Sequence, residues 1–258
     1  MISDCWPGDR AVSDLVGYIL VFSLIFVTVG AISLGALPTL DSARESEQLQ
    51  NAERAFDVLN SNMIEVYERG APSRATEINA DDGTVETREA VTFNITLVDS
   101  AGNTTSSVTE TNPVVFTGLG NTEFVFEAGA VIRDQRDQSV MLREPPFSVG
   151  DKRVLFTLVK TVSDSRQAVG GGTVLVRAVS TSRSVEIADT DTSVSAYDQF
   201  NVTVAGSPRQ DAWQRYFENE LGLNCTAGTE LDCGLDLTQT NVRQTFVTIQ
   251  GIRINLEL

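Results

Sequence analysis

Four Asn-x-Ser/Thr sequons are the sequence features that most directly indicate chemistry. They are Asn94-Ile95-Thr96, Asn103-Thr104-Thr105, Asn201-Val202-Thr203 and Asn224-Cys225-Thr226. Such a pattern accepts an N-linked glycan only on an extracytoplasmic surface, so the four sequons favour an exported domain. Alternation along the surrounding strands predicts that Asn94 and Asn201 point away from the core, and Asn103 is expected in an accessible turn. Asn224 adjoins a cysteine and is expected to be the least accessible of the four.

Two cysteines lie close together near the C-terminal end of the chain. Cys225 and Cys233 are separated by a segment rich in Gly, Thr and Asp, whereas Cys5 lies near the N-terminus. In an oxidising compartment the pair can close a short disulfide ring, and two free thiols are the alternative. A four-ligand Cys/His metal site is excluded because the chain has no histidine and no third cysteine nearby. We expect no cofactor.

Catalytic chemistry has little support in the sequence. The absence of histidine excludes Ser-His-Asp and Cys-His arrangements, and no G-x-S-x-G motif is present. The carboxylate pairs Asp81/Asp82 and Asp189/Asp191 have the residue type for glycoside hydrolysis or for calcium binding, but neither has EF-hand spacing. In a chain with 35 acidic residues, a solvated surface is the favoured interpretation. We therefore expect neither an enzyme nor a metal site, and a surface hydrolase is the least favoured hypothesis.

The charge balance excludes one class of partner and indicates an environment. The formal net charge is −16, and a chain this acidic is not expected to bind nucleic acid, whose affinity depends on Lys and Arg. Lys152 and Lys160 are the only lysines, and the acidic residues are spread along the whole chain. This pattern is typical of a protein kept soluble in concentrated salt. It favours a halophilic archaeal source, with an ordinary acidic surface protein as the alternative.

The element that organises the chain is a long apolar run near the N-terminus. No charged side chain occurs between Leu15 and Leu40, and a helix of that length covers roughly 39 Å, enough to cross a hydrocarbon core about 30 Å thick. Apolar residues then recur at helical spacing, which predicts an amphipathic helix as far as about Arg69 with a kink at Pro38. The stripe consists of Leu49, Ala52, Phe56, Leu59, Met63 and Val66.

From residue 73 the hydrophobic period changes to two, which predicts a β-rich domain. The clearest strands are expected at 91–98, 122–126, 154–162, 173–179, 200–204 and 246–258. Gly-rich turns between them indicate a β-sandwich or a curled antiparallel sheet. A short helix over 211–217 places Trp213, Tyr216 and Phe217 on one face. That face is expected to pack on the sheet, with a carbohydrate-binding platform as the alternative.

The residues before the apolar run carry a resemblance. Asp9-Arg10-Ala11-Val12-Ser13 resembles the class III signal of haloarchaeal type IV pilins, with Asp14 where those proteins commonly have proline. The resemblance implies that a prepilin peptidase cuts between Ala11 and Val12, and that Arg10 is the basic residue that precedes the cleavage site. Further on, the segments 126–133 and 139–147 resemble a haloarchaeal surface-protein family that carries the same N-terminus but no known activity.

Together these features predict an α+β organisation in four parts. They are a leader over 1–11, a transmembrane or filament-core helix over 12–40, an amphipathic helix over 41–70 and an extracellular antiparallel β-sandwich-like domain over 71–258. The expected function is that of a pilin-like structural or adhesion protein in the cell membrane, single-pass, with its C-terminal domain outside. Its expected partners are the prepilin peptidase, the membrane, and further copies or other pilins. The alternative is a membrane-tethered β-sandwich binding module that does not polymerise.

Overall fold

A computed structural model describes residues 9–135, 138–189 and 195–258, with no side chains described for 9–14, 34–42 and Leu119. The chain divides into two compact units, Met1–Glu47 and Gln48–Leu258. Helix α1 is assigned from Asp9 to Tyr67 and so contributes residues to both units. Residues 1–8 of the predicted leader over 1–11 lie outside the described residues. Of Arg10, Ala11 and Val12 only the helical backbone is described.

The first unit contains a segment with the length and composition of a membrane span. It runs over Leu15–Ser33, has a mean hydropathy of 2.5 and has none of its residues buried within the protein. Nineteen residues at about 1.5 Å each give roughly 28 Å, close to the thickness of a bilayer core. Its one described threonine, Thr28, donates its hydroxyl to the carbonyl of Leu24 at 2.9 Å, so that polar group is satisfied within the helix.

In the second unit, the C-terminal part of α1 is amphipathic, as its spacing predicts. Ala52, Phe56, Leu59, Met63 and Val66 are buried, while the opposite side of the helix is exposed. The helix ends at Tyr67. Gly70 follows with a positive φ of 72°, a conformation that glycine adopts without steric cost.

Among the described residues, this unit contains sixteen strands and one further α-helix. In chain order they are β1 Ser73–Asn79, β2 Thr84–Thr87, β3 Val91–Val98, β4 Thr104–Thr111, β5 Val114–Thr117, β6 Glu123–Glu127, β7 Ala130–Gln135, β8 Gln138–Arg143, β9 Phe147–Val149, β10 Arg153–Val162, β11 Ala168–Gly170, β12 Thr173–Ala188, β13 Gln199–Ala205, α2 Gln210–Asn219, β14 Asn224–Ala227, β15 Leu231–Asp236 and β16 Gln244–Glu257. The predicted α+β class is therefore confirmed.

The strands form three sheets. Their orders are β1-β12-β16-β10-β9 in the first sheet, β11-β2-β5-β6-β7-β8 in the second and β14-β15-β13-β3-β4 in the third. Pairing is antiparallel in the second and third sheets, but β10 and β16 run parallel in the first, which departs from the purely antiparallel expectation. The two strands are more than eighty residues apart in sequence, so a long connection supplies the reversal that a parallel pair needs.

Two hydrophobic cores lie between these layers, and the first sheet contributes to both. One core joins α1 to the first and second sheets, with Phe56 and Phe124 in ring contact at 6.0 Å. The other joins all three sheets to α2, and there Trp213 meets Phe93 edge-on at 5.1 Å. Trp213, Tyr216 and Phe217 are all buried, which confirms that the aromatic face of this helix packs on the sheet and leaves no aromatic platform for a sugar.

Candidate functional site: the polar face of the third sheet

The third sheet brings three of the four sequons onto one surface. Strand alternation turns the apolar residues of β3 and β13 into the core, so Asn94 and Asn201 lie on the opposite face. Cross-strand pairing places Asn224 beside Gly234, Gly234 beside Asn201, and Asn201 beside Thr96. This surface, formed by the outward residues of β14, β15, β13, β3 and β4, is called the sequon face below.

The accessibility of the sequon asparagines differs from the expectation. Asn103 and Asn224 are exposed, whereas Asn94 and Asn201 point outward but are only half-exposed. The Oδ1 atom of Asn94 is buried and accepts no hydrogen bond from the described residues. The expectation that Asn224 is the least accessible is therefore wrong. Neighbouring residues in a strand point to opposite faces, so the side chain of Cys225 does not cover it.

A shallow depression of about 290 Å³ interrupts the sequon face between β13 and β15. Gly234 creates it, because a Cβ atom at this position would lie 2.6 Å from Oδ1 of Asn201. On the same two strands, the hydroxyl of Thr203 donates to Oδ1 of Asp232 at 2.7 Å. The depression therefore presents amide, hydroxyl and carboxylate groups to solvent, and its polar groups are already engaged with one another in part.

Asn103 lies at the tip of the β3–β4 hairpin and is held by a local carboxylate. Asp99 accepts hydrogen bonds from the backbone N–H of Ala101 at 2.9 Å and of Asn103 at 2.8 Å. It also accepts one from the side-chain Nδ2 of Asn103 at 2.8 Å. These bonds, the side-chain one foremost, hold the pKa of Asp99 below its usual range. The amide nitrogen that a glycan would join is thus fixed at the surface, and a glycosylated amide would retain one N–H for Asp99.

The cysteine pair joins the first two strands of the same sheet. Cys225 and Cys233 are directly opposite each other in the β14–β15 pair and form a disulfide, with Cα atoms 4.1 Å apart. Cys233 is buried on the core side of the sheet. The bond therefore fixes the end of the sheet that carries Asn224 without occupying the outer surface.

The acidic pairs considered for catalysis or calcium binding do not form such a site in the described residues. Asp81 and Asp82 are exposed at a turn, where Asp81 accepts from Nδ2 of Asn79 at 2.9 Å. Asp189 is buried and accepts from the backbone N–H of Ala196 at 2.9 Å, while Asp191 lies outside the described residues. Within the described ranges no group of three or more acidic or cysteine side chains is arranged to hold a metal ion.

A buried polar cluster beneath α2 was not predicted from the sequence. Glu127 is fully buried and accepts hydrogen bonds from Oγ of Ser207 at 2.8 Å, from Nε1 of Trp213 at 2.6 Å and from Nε of Arg209 at 3.2 Å. Arg209 also pairs with Glu127 through a terminal guanidinium nitrogen. These groups are closed to solvent, so they fix α2 against the β6–β7 hairpin rather than bind a substrate. Ala128, the residue after Glu127, has a φ of 51° and lies in a tight turn. The hydrogen-bond partners of Glu127 lie about eighty residues further along the chain, so no local spacing connects them to Glu127.

Comparison with known proteins gives a family and no closer relative. No curated protein and no solved structure matches this chain. A family model does match, over residues 10–256, and so takes in both the apolar helix and the β-rich unit. The chain therefore belongs to DUF7289, a family of unknown function.

Proposed function

We propose that this protein is a pilin-like surface protein of a halophilic archaeon. A prepilin peptidase removes residues 1–11, and the N-terminal helix then anchors the chain in the membrane or packs in a surface filament. The β-rich unit lies outside the cell and serves a structural or adhesive role. The alternative is a tethered module that stays monomeric.

The observation that carries the proposal is the apolar segment Leu15–Ser33. None of it is buried against the rest of the chain. Exposed leucine, isoleucine and phenylalanine side chains on this scale need an apolar environment, since burial of each is worth about 1.5–3 kcal/mol. A bilayer or the apolar helices of neighbouring subunits would supply that environment. The Arg10-Ala11-Val12 sequence just before the segment provides the processing site that the pilin resemblance implies.

The chemistry of the second unit supports an external location. It contains a disulfide between Cys225 and Cys233, a bond that persists in oxidising compartments. It also presents three sequons on one sheet face and a fourth on an adjacent hairpin tip. The net charge of −16 with two lysines suits a surface bathed in concentrated salt.

The proposal is tested by comparing two charge-reversal variants in the native host or a related one. Arg10→Glu changes the basic residue two positions before the proposed cut, and Arg44→Glu is the matched control beyond the apolar segment. We expect Arg10→Glu to retain the leader and to lose surface filaments in electron micrographs, while Arg44→Glu is processed normally. If Arg10→Glu forms filaments as the unaltered chain does, the processing mechanism is wrong. If the unaltered chain is processed but stays monomeric in membranes, the tethered-module alternative replaces the filament role.

Glycosylation of the sequon face is tested by intact mass. Asn103 and Asn224 are exposed, so we expect them to carry glycans in preference to the half-exposed Asn94 and Asn201. Single Asn→Gln variants at the four positions should therefore differ, with mass losses confined to the two exposed sites. Modification at Asn94 and Asn201 alone would show that the glycan is added before this sheet forms.

A further inference from the structure

The outer edge of β4 differs from the other long sheet edges of the protein. Strand β4 is the last strand of the third sheet and pairs with β3 alone, through eight consecutive residue pairs without a register shift. In the β3–β4 hairpin, the N–H of Asp99 donates to the carbonyl of Asn103 at 3.0 Å. This bond fixes which residues of the β3–β4 ladder are hydrogen-bonded to each other. The backbone N–H and C=O groups of the odd-numbered residues of β4 therefore point towards β3, and those of the even-numbered residues point away from it.

The backbone groups that face away form what we call the open edge. They belong to Thr104, Ser106, Val108 and Glu110, all of which are exposed. None of these backbone groups is paired with another described residue. The next outward N–H, that of Asn112, donates to the carbonyl of Thr161 at 2.8 Å and so marks where the open edge ends.

The long edge strands of the other two sheets are protected against pairing with a further strand, whereas the open edge is not. In β8, the N–H of Ser139 donates to Asp211 at 3.3 Å, and its carbonyl accepts from Arg215, so helix α2 caps that edge. In β1, the carbonyl of Ala75 accepts from Nδ2 of Asn62 on α1 at 3.2 Å. The part of β12 that extends beyond β1 contains two register shifts. Caps and bulges are the devices that prevent edge-to-edge pairing.

The open edge has none of these devices. Its sequence, TTSSVTET, contains no lysine, no proline and no bulge, and is rich in residues that favour strands. Glu110 is its one charged residue. Val108 lies on the sequon face and is 62% exposed. A regular, nearly neutral edge of this length is suited to accept another strand.

We infer that the open edge of β4 pairs antiparallel with the same edge of a second copy, joining two third sheets into one continuous sheet. Each copy of the protein carries a net charge of −16, so a contact between copies requires a nearly neutral surface, and β4 provides one. A two-fold axis near Ser106 to Val108 would place Glu110 of one copy opposite residues 102–106 of the other. The two glutamates would therefore not face each other, and like charges directly opposite would be avoided.

The inference goes beyond the proposed anchoring helix, because it needs no contact from Met1–Glu47. The sequon face is also compatible with it. Glycans on that face would project perpendicular to the sheet, whereas the pairing occurs in the plane of the sheet.

The test is cross-linking of the full chain in detergent and in native membranes, with Cys5→Ser as the background so that no other free thiol is present. Val108→Cys is the probe and Val185→Cys is the matched control. Both valines are 62% exposed, but Val185 lies on the bulged edge of β12. With a short bismaleimide, we expect the Val108→Cys chain to give covalent dimers roughly tenfold faster than the control. This ratio corresponds to a free-energy difference of about 1.4 kcal/mol between the two contacts.

A proline then tests whether the backbone makes the contact. Ser106→Pro removes an outward N–H and leaves the β3–β4 ladder intact, so the fold should be retained and the cross-link lost. Ser106→Ala removes only the hydroxyl and should leave the cross-link unchanged. Where Ser106→Pro alters the circular dichroism spectrum, Thr104→Lys replaces it as the edge-blocking variant, because a charged edge opposes pairing.

Three results would overturn the inference. Equal cross-linking at Val108 and Val185 would show random collision. Cross-linking that survives both Ser106→Pro and Thr104→Lys would show a contact that does not use the open edge. A chain that is monomeric in membranes, with β4 protected only by a different protein, would assign the edge to a different partner. Failure of leader processing would not change any of these readouts, so this test and that of the proposed function are independent.

Discussion

The buried pair of Glu127 and Arg209 gives a prediction whose magnitude follows from the structure. Glu127 is 0% exposed and the side chain of Arg209 is 2% exposed, so both charges are removed from water. The variant Glu127→Gln keeps the shape of the side chain and an oxygen for Ser207 and Trp213. It leaves the guanidinium of Arg209 buried without a counter-charge, which is expected to lower the free energy of unfolding by about 3–5 kcal/mol.

The assay is guanidinium unfolding of the detergent-solubilised full chain, followed by the fluorescence of Trp213 in a Trp6→Phe background. The matched control is Arg143→Gln, which breaks an exposed pair in which a guanidinium nitrogen of Arg143 lies 2.8 Å from Asp57. An exposed pair of this kind contributes about 0–1 kcal/mol, so the control should unfold close to the unaltered protein. In a double variant with Arg209→Met, the loss should be smaller than the sum of the two single losses by roughly 0.5–3 kcal/mol.

Equal destabilisation by Glu127→Gln and Arg143→Gln would contradict this role of the buried pair. Additive effects of the Glu127 and Arg209 substitutions would contradict it too, because additivity would mean that the two side chains do not interact in the folded state. Near-ultraviolet circular dichroism would show whether α2 remains packed in each variant.

Two further predictions concern the third sheet. Hydrogen bonds from Asn103 hold the pKa of Asp99 low, so the turn gains stability that is present above the ordinary Asp pKa and is lost as pH falls through the lowered pKa. In the Asn103→Ala variant, NMR titration should show the pKa of Asp99 rising towards the ordinary Asp value. An unchanged pKa would contradict the assigned cause. Removal of the disulfide by Cys225→Ala with Cys233→Ala, which are eight residues apart, should lower the free energy of unfolding by about 2–3 kcal/mol, measured by thermal and denaturant unfolding. Equal stability of the oxidised and cysteine-free chains would show that β14 is held by packing alone.

The parts of the fold that depend on local pattern could be predicted from the sequence. The alternation of Val91 to Val98 appears as β3 with the same bounds, and the apolar stripe from Ala52 to Val66 is buried as expected. Prediction from sequence succeeds here because each residue of the pattern contacts the same core, so the period of the buried face is visible in the chain.

Other elements lack such a local signal. Strand β4 was not predicted because half of TTSSVTET faces solvent and its inward residues are small and polar, with Ser107, Thr109 and Thr111 buried. The parallel pairing of β10 with β16 depends on the arrangement of the whole sheet. The cluster around Glu127 joins residues about eighty positions apart, so no spacing in the sequence could indicate it.

The candidate site was predicted in part for the same reason. Strand alternation correctly indicated that Asn94 and Asn201 point away from the core. That β14, β15, β13 and β3 are neighbours, which collects three sequons on one face, depends on strand order and could not be read from a single sequence. The exposure of Asn224 follows from the pairing of β14 with β15, in which Cys225 lies opposite Cys233, and this strand pairing was not predicted.

Processing of the leader is tested by the intact mass of the protein extracted from its native membrane, and by labelling the α-amine before digestion to identify the first residue. Labelling must come first because trypsin would itself cut after Arg10. We expect a mature chain that begins at Val12, with the apolar segment Leu15–Ser33 retained. A chain that still carries Met1 to Ala11, or one that begins beyond Ser33, would contradict it.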